Sequence, residues 1–184
     1  MTIKIRRLIL PALLVSQMCF IFIMSSFGHN SSDAQSNLFV DFIAQNFPHV
    51  RHGLENNLIS LSTLIFLVRK TAHFTEYAIL GALFYLNFIQ FPRLNRHFKK
   101  ILLPILFSFL YAYTDEIHQI FIPGRSAQFR DVLIDTLGAS FGCLLIHALL
   151  TLFTKLKSKS NSESKTQNQT PPAKPRLAPR PKTK

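Results

Sequence analysis

The chain has 184 residues, of which 48% are hydrophobic and only 16% are charged, and its formal net charge is +12 at pH 7. A soluble globular domain has about a quarter of charged residues, so the composition argues against such a domain and favours a surface that faces lipid. The basic residues lie between long apolar runs, which argues against nucleic-acid binding. Cys19 and Cys143 lie inside apolar runs, so neither a disulfide framework nor a cysteine-based zinc site is indicated.

Four apolar segments approach the length of about 20 residues that a helix needs to cross a bilayer. We interpret them as four transmembrane helices at residues 8–27, 71–89, 101–121 and 132–153. The first segment follows basic residues, as a signal peptide does, but it is longer than the usual apolar region and no A-x-A-like site follows. The sequence therefore predicts an all-α integral membrane protein, a bundle of four transmembrane helices whose first span is a retained anchor.

Basic residues are concentrated in three segments on one side of this predicted bundle. Residues 1–7, 90–100 and 154–184 contain 16 of the 21 Lys and Arg residues. Short loops that are rich in Lys and Arg stay in the cytoplasm. The sequence thus predicts a multi-pass cell-membrane protein with cytoplasmic N- and C-termini.

The long first outer loop and the C-terminal tail differ in their apolar content. Before the helix-stopping Pro48, helical spacing relates Leu38, Phe39, Phe42, Ile43 and Phe47. This pattern predicts a short interfacial helix in the loop. Residues 58–68 either extend the second span or form a separate interfacial or re-entrant piece. Residues 158–184 form a basic Lys/Pro-rich segment that is predicted to be a disordered cytoplasmic tail, which leaves residues 1–157 as the membrane domain.

Ionisable residues within spans are costly and therefore indicate function, and here they gather at the predicted outer end of the bundle. The candidate ligand-binding residues are Lys70, His73, Glu76, Tyr77, Asp115, Glu116, His118, Gln119, Arg125, Asp131 and Asp135. Six of them are predicted to point at a shared space, namely His73, Glu76, Asp115, His118, Arg125 and Asp135. Glu116 points about 100° away from Asp115 and is expected to meet a different neighbour. Gly138 and Gly142 have the G-x-x-x-G spacing that lets a neighbouring helix approach closely.

The motifs that contain these residues resemble the VanZ-like membrane protein family. The resemblance covers about residues 69–143. It rests on K-T-A-H-F-T-E-Y at residues 70–77, on D-E-x-H-Q-x-F-x-P-G-R at residues 115–125, and on Asp131 and Asp135 before Gly138. It implies a small bacterial multipass protein associated with low-level resistance to glycopeptides such as teicoplanin.

Three interpretations of the polar cluster are open. In the first, the charges form an ion-pair network that locks the helix ends together. In the second, they bind an anionic lipid-linked envelope component. Arg125 is then favoured over Lys70 as the phosphate ligand, because a guanidinium binds phosphate through two hydrogen bonds. The third is a membrane hydrolase or transferase that acts on a lipid-linked phosphate or glycan. The expected partners are membrane lipids and a lipid-linked cell-envelope precursor or a glycopeptide. No cofactor, metal or nucleic acid is predicted.

Overall fold

The structure, a computed structural model, describes residues 3–91 and 97–167. These residues form six helices and no strand, which confirms the all-α prediction. The helices are α1 (Ile3–Ser25), α2 (His29–Asn46), α3 (Pro48–Glu55), α4 (Leu61–Phe88), α5 (His97–Gln119) and α6 (Phe129–Gln167).

Among the described helices, two are long and apolar enough to cross a membrane. The qualifying segments are Arg7–Ser25 in α1 and Phe129–Asn161 in α6, which correspond to the first and fourth predicted spans. Helices α4 and α5 do not meet the same criterion, because polar residues lower the apolar content of both. The second and third predicted spans therefore exist as helices, and their crossing of the membrane stays a prediction.

Helix α4 is central to the packing of residues up to Ala148, because it contacts α1, α2 and α5. The apolar core comprises Ile21, Tyr77, Leu80, Phe84, Ala112, Val132 and Ala139. Helix α6 approaches α4 through Gly138 and Gly142, where an added Cβ would overlap the backbone of Phe74 and of Ala78. The close helix approach predicted from the G-x-x-x-G spacing is confirmed.

The segment before α4 contains two helices. Helix α2 ends before Pro48 as predicted, but it begins earlier than the apolar spacing indicates. Ser32, Ser36 and Val40 form a buried stripe along it, and the Ser36 hydroxyl donates to the Ser32 carbonyl oxygen at 3.0 Å. Sequence periodicity counts serine as polar, although a serine whose hydroxyl is satisfied within its own helix can be buried.

The boundary of the second span is set by the continuity of α4. The helix begins at Leu61, so residues 61–68 extend it and are not a separate piece. Its 28 residues make it about 42 Å long at about 1.5 Å per residue, which exceeds the hydrocarbon thickness of about 30 Å. The first turns of α4 can therefore project beyond an apolar layer.

The chain divides into two compact units, Met1–Ala148 and Leu149–Lys184. In the second unit α6 continues as a helix to Gln167. The prediction of a disordered tail from residue 158 is therefore wrong for residues 158–167. Once a helix exists, each added residue contributes a hydrogen bond without a new nucleation cost, which polar composition alone does not reveal. The rest of the predicted tail, residues 168–184, lies outside the described residues.

Candidate functional site

A polar cavity of about 120 Å³ lies where the start of α4, the end of α5 and the α5–α6 connection meet. Six of its lining residues were predicted candidates: Lys70, His73, Glu116, Gln119, Arg125 and Asp131. The others are Phe66, Arg69, Gly124, Ser126 and Gln128. The sequence prediction therefore located about half of the residues in this wall.

Lys70 and Asp131 join α4 to α6 at the polar cavity. The Lys70 ammonium forms an ion pair with Asp131 Oδ2, and the two side chains are 15% and 17% exposed. The Lys70 Nζ also lies 5.6 Å from the centre of the Phe66 ring, within the range of a cation–π contact. This pair fits the structural interpretation, because its two charges neutralise each other.

The α5–α6 connection directs Arg125 into the cavity wall through a reverse turn. The Arg125 N–H donates to the Ile122 carbonyl oxygen at 3.1 Å, and Gly124 has a φ of 77°. Pro123 followed by Gly124 suits a type II turn, since the third position needs a positive φ. The sequence thus encodes the backbone geometry that positions this guanidinium.

Arg125 differs from the other cations of the cavity in its partners. In the described part of the chain its guanidinium forms neither an ion pair nor a side-chain hydrogen bond. Burial, together with the nearby Arg69 cation, lowers the pKa of Arg125, but a guanidinium remains protonated in proteins. Arg125 is therefore a partly buried cation with unused donors.

Glu116 is occupied by the backbone of the α5–α6 connection. Its Oε2 accepts a hydrogen bond from the Gln128 N–H at 2.9 Å, and the residue is only 4% exposed. This confirms that Glu116 meets a different neighbour from Asp115. The carboxylate anchors the connection just before α6 begins.

A second cavity of about 90 Å³, which we call the α2 cavity, lies between α2 and α4. Arg69, His73 and Arg125 line both cavities. The accessible surface of the α2 cavity wall is mainly apolar, although seven of its eleven lining residues are polar or charged, whereas the accessible surface of the polar cavity wall is mainly polar. Its other lining residues are Met24, Ser32, Gln35, Ser36, Phe39, Val68, Ala72 and Glu76.

Three predicted candidates line neither cavity and are buried in the helix packing. Asp115 Oδ2 accepts hydrogen bonds from Ser25 Oγ at 2.8 Å and from Gln119 Nε2 at 3.2 Å. Tyr77 is fully buried, and among the described residues neither its hydroxyl nor Asp115 Oδ1 has a hydrogen-bond partner. Asp135 is 2% exposed and lies within electrostatic range of Asp115.

His118 faces α1 and lies outside both cavities. Its ring stacks on Phe22 with a centroid distance of 4.4 Å, and its Nε2 is 3.1 Å from Ser26 Oγ. Of the six residues predicted to share one space, only His73, Glu76 and Arg125 line one cavity together. The i,i+3 spacing of Asp115 and His118 indicated their helix face but not the position of α1, which both side chains contact.

The two carboxylate and histidine pairs do not combine into a metal centre. The described residues contain no group of three or more His, Cys, Asp or Glu side chains that could hold a metal ion. His73 and Glu76 both line the α2 cavity, whereas Asp115 and His118 contact α1. The arrangement supplies hydrogen-bond donors and cations around a cavity.

A protein-family model described as VanZ/LLP1 matches residues 10–172 of the chain. The chain belongs to the VanZ/LLP1 family. No curated protein and no solved structure matches it. The VanZ/LLP1 match extends beyond the motifs at residues 69–143 in both directions, and it includes α2 and most of α1.

The VanZ/LLP1 match thus includes residues at the site that sequence reasoning missed. Arg69 Nη1 forms an ion pair with Asp33 Oδ1 at 2.9 Å, which connects α4 to α2. Ser25, at the end of α1, supplies a donor to Asp115. Asp33 lies in a segment without apolar periodicity and Ser25 in an apolar run, so neither stands out in the sequence. Arg69 directly precedes Lys70, and its position beside the motif was the one available indication.

For this VanZ/LLP1 protein we expect Ser25→Ala to lower the free energy of unfolding by about 1 to 3 kcal/mol, because it removes a donor from a buried carboxyl group. Ser26→Ala is the matched control, since Ser26 is exposed and its hydroxyl contacts the carbonyl oxygen of Phe22 and His118 Nε2 but no buried carboxyl group. Thermal unfolding of both variants in detergent measures the difference. Equal unfolding temperatures would show that the Ser25 hydrogen bond contributes nothing.

Proposed function

We propose that this VanZ/LLP1 family member is a multipass protein of the bacterial cell membrane whose polar cavity binds the phosphate group of a lipid-linked cell-envelope component. By doing so it alters susceptibility to glycopeptides such as teicoplanin. The observation that carries the proposal is the position of Arg125, a cation without an ion-pair partner among the described residues, in the wall of both cavities.

The apolar surface of α5 supports the membrane location. Large apolar side chains recur along it at helical spacing, each more than two-fifths exposed: Leu102, Leu106, Leu110, Tyr113 and Ile117. An exposed apolar stripe of this kind suits contact with lipid. We therefore propose that α4 and α5 span the membrane together with α1 and α6, and that α2 lies at the interface.

The proposed orientation places the polar cavity outside and both termini in the cytoplasm, because three segments rich in Lys and Arg would then remain inside. Alkaline phosphatase, which is active only outside the cytoplasm, should be active when fused after residue 125 and inactive when fused after residue 160. The reverse pattern would contradict the orientation.

The chemistry of the polar cavity suits an anion that accepts hydrogen bonds. Each carboxylate in its wall is held through one oxygen, since Asp131 Oδ2 pairs with Lys70 and Glu116 Oε2 accepts from Gln128 N–H. Asp131 Oδ1 is buried and has no hydrogen-bond partner among the described residues. The unused donors include the guanidinium of Arg125 and the hydroxyl of Ser126. A phosphate group carries only acceptor oxygens when ionised, and a guanidinium can bind two of them at once.

Binding of a polyprenyl phosphate, compared with the polyprenyl alcohol of the same chain length, tests the proposed ligand chemistry. The purified full-length protein in a neutral detergent should bind the phosphate at least about tenfold more tightly, and added salt should weaken the binding. Equal affinity for the phosphate and the alcohol would contradict phosphate recognition.

The cellular test uses a glycopeptide-susceptible host that expresses either the protein or no protein. Expression should change the lowest concentration of teicoplanin that stops growth, and an inactive variant with normal membrane abundance should not. Unchanged sensitivity to every envelope-directed agent would refute the proposed role in the envelope.

A membrane enzyme that acts on a lipid-linked phosphate or glycan is the second candidate function. The observation that favours it is the position of His73, which lines both cavities beside Arg125, since histidine is the most frequent general acid or base in enzymes. Release of inorganic phosphate from the polyprenyl phosphate, measured with added divalent metal and with chelator, would favour the enzyme. Binding without release under either condition would favour the binding protein.

A further inference from the structure

We infer that the two cavities form one bipartite site for a phosphate ester of an apolar chain, with the phosphate in the polar cavity and the first carbon atoms of the chain in the α2 cavity. This inference rests on the proposed function, because it presupposes phosphate recognition at Arg125. It adds that the α2 cavity recognises the apolar chain of the ligand next to its phosphate.

The two cavities are adjacent, and the accessible surfaces of their walls differ in polarity. Arg69, His73 and Arg125 line both, so a group held by these side chains in one cavity lies next to the other. The accessible surface of one wall is mainly polar and that of the other mainly apolar. A ligand that contacts both walls favourably must have a charged part joined directly to an apolar part.

The α2 cavity adjoins an exposed apolar surface of α2. Phe39 lines the cavity and is 64% exposed, and its neighbour Leu38 is 71% exposed. These side chains lie outside the buried stripe of α2 that Ser32, Ser36 and Val40 form. A chain in the α2 cavity can therefore continue along Phe39 to an apolar surface suited to the membrane interface.

Helix α2 is attached to α4 beside both cavities. The ion pair between Asp33 and Arg69 joins the two helices, and both side chains are partly exposed, by 34% and 25%. Arg69 is thus held by a carboxylate of α2 while it lines both cavities. This contact fixes the position of the α2 cavity wall relative to the proposed phosphate-binding cation Arg125.

The experiment compares the binding of octyl phosphate and methyl phosphate to the full-length protein in a neutral detergent, with octyl phosphate below its critical micelle concentration. We expect octyl phosphate to bind at least about tenfold more tightly, because its chain enters the α2 cavity. Equal affinities would overturn the inference and leave phosphate recognition intact. Binding of neither probe would overturn the proposed function as well.

Two variants of α2 separate recognition in the cavity from general attraction of the chain to an apolar surface. Phe39→Ala removes part of the cavity wall, whereas Phe42→Ala removes an equally exposed ring that does not line it. We expect Phe39→Ala to weaken octyl phosphate binding about fivefold and Phe42→Ala to change it less than twofold, with methyl phosphate unaffected by either. Equal effects of the two substitutions on octyl phosphate would overturn the inference.

A third variant fills the α2 cavity from the α4 side, in case the loss of a ring alters α2 itself. Ala72→Leu adds volume within the cavity, and Ala34→Leu makes the same change at an exposed position of α2 that lines neither cavity. Ala72→Leu should weaken octyl phosphate binding at least about tenfold and leave methyl phosphate binding within twofold, whereas Ala34→Leu should change neither. Equal losses for both probes in Ala72→Leu, or no loss for octyl phosphate, would overturn the inference.

Discussion

Replacing Arg125 with Gln should lower the affinity for a polyprenyl phosphate about 100-fold, and replacing it with Lys should lower it about tenfold. Each charge-assisted hydrogen bond contributes about 1.5 to 3 kcal/mol, and about 1.4 kcal/mol corresponds to a factor of ten in affinity. Gln removes the charge and the planar fork of donors together, whereas Lys keeps the charge but cannot reproduce the fork that binds two phosphate oxygens at once. Titration of the purified variants with the polyprenyl phosphate measures both effects.

Lys100→Gln is the matched control, because it also removes one positive charge. Lys100 lies at the start of α5, whereas the cavity residues Glu116 and Gln119 lie at the end of that helix. This substitution should leave the affinity within about twofold. The same expectation holds for Arg93→Gln, although Arg93 lies outside the described residues. Normal membrane abundance and an unchanged unfolding temperature must accompany the loss of binding. If Arg125→Lys and Arg125→Gln both bind as well as the unchanged protein, Arg125 does not hold the phosphate.

The sequence predicted the all-α class and the approximate places of α1, α4, α5 and the start of α6, because apolar composition is a local property, but it did not predict α3. Pro48 ends α2, and the Pro123-Gly124 pair forms the turn before α6, since both features depend on backbone chemistry of adjacent residues. The start of α2 was missed because burial of its serine stripe depends on α4, a partner distant in sequence. The extent of α6 was missed because helix continuation depends on the preceding turns.

The site was predicted in part for the same reason. Helical spacing correctly placed Lys70, His73 and Asp131 at one end of the bundle, where they line one cavity. Spacing within a helix does not determine which neighbouring helix each side chain meets. His118 therefore contacts Phe22 of α1.

The ion-pair network and the binding site are not exclusive interpretations of these charges. Lys70 with Asp131, and Arg69 with Asp33, hold α4 against α6 and α2. With these pairs in place, Arg125 is, among the described residues that line the polar cavity, the Lys or Arg side chain without an ion pair. The paired charges thus fix the positions of the helices, and the position of the helices determines where Arg125 can meet a ligand.

Gly142→Ala should strongly destabilise the fold, because an added Cβ would overlap the carbonyl oxygen of Ala78 in α4. The overlap is with backbone, which cannot move aside as a flexible side chain can. Overpacking of this kind costs about 1 to 3 kcal/mol and occasionally more, so we expect at least about 3 kcal/mol. For a chain of this size that corresponds to a fall in unfolding temperature of roughly 6 to 12 °C.

The same substitution should also weaken phosphate binding, since α4 and α6 supply Lys70 and Asp131 to the polar cavity and would be forced apart. Ala148→Val is the matched control, because it adds two carbon atoms at an exposed position of the same helix. It should shift the unfolding temperature by less than about 2 °C, in line with other surface substitutions. Thermal unfolding in one detergent compares the variants, and a Gly142→Ala protein as stable as Ala148→Val would show that α4 and α6 do not pack through their glycines.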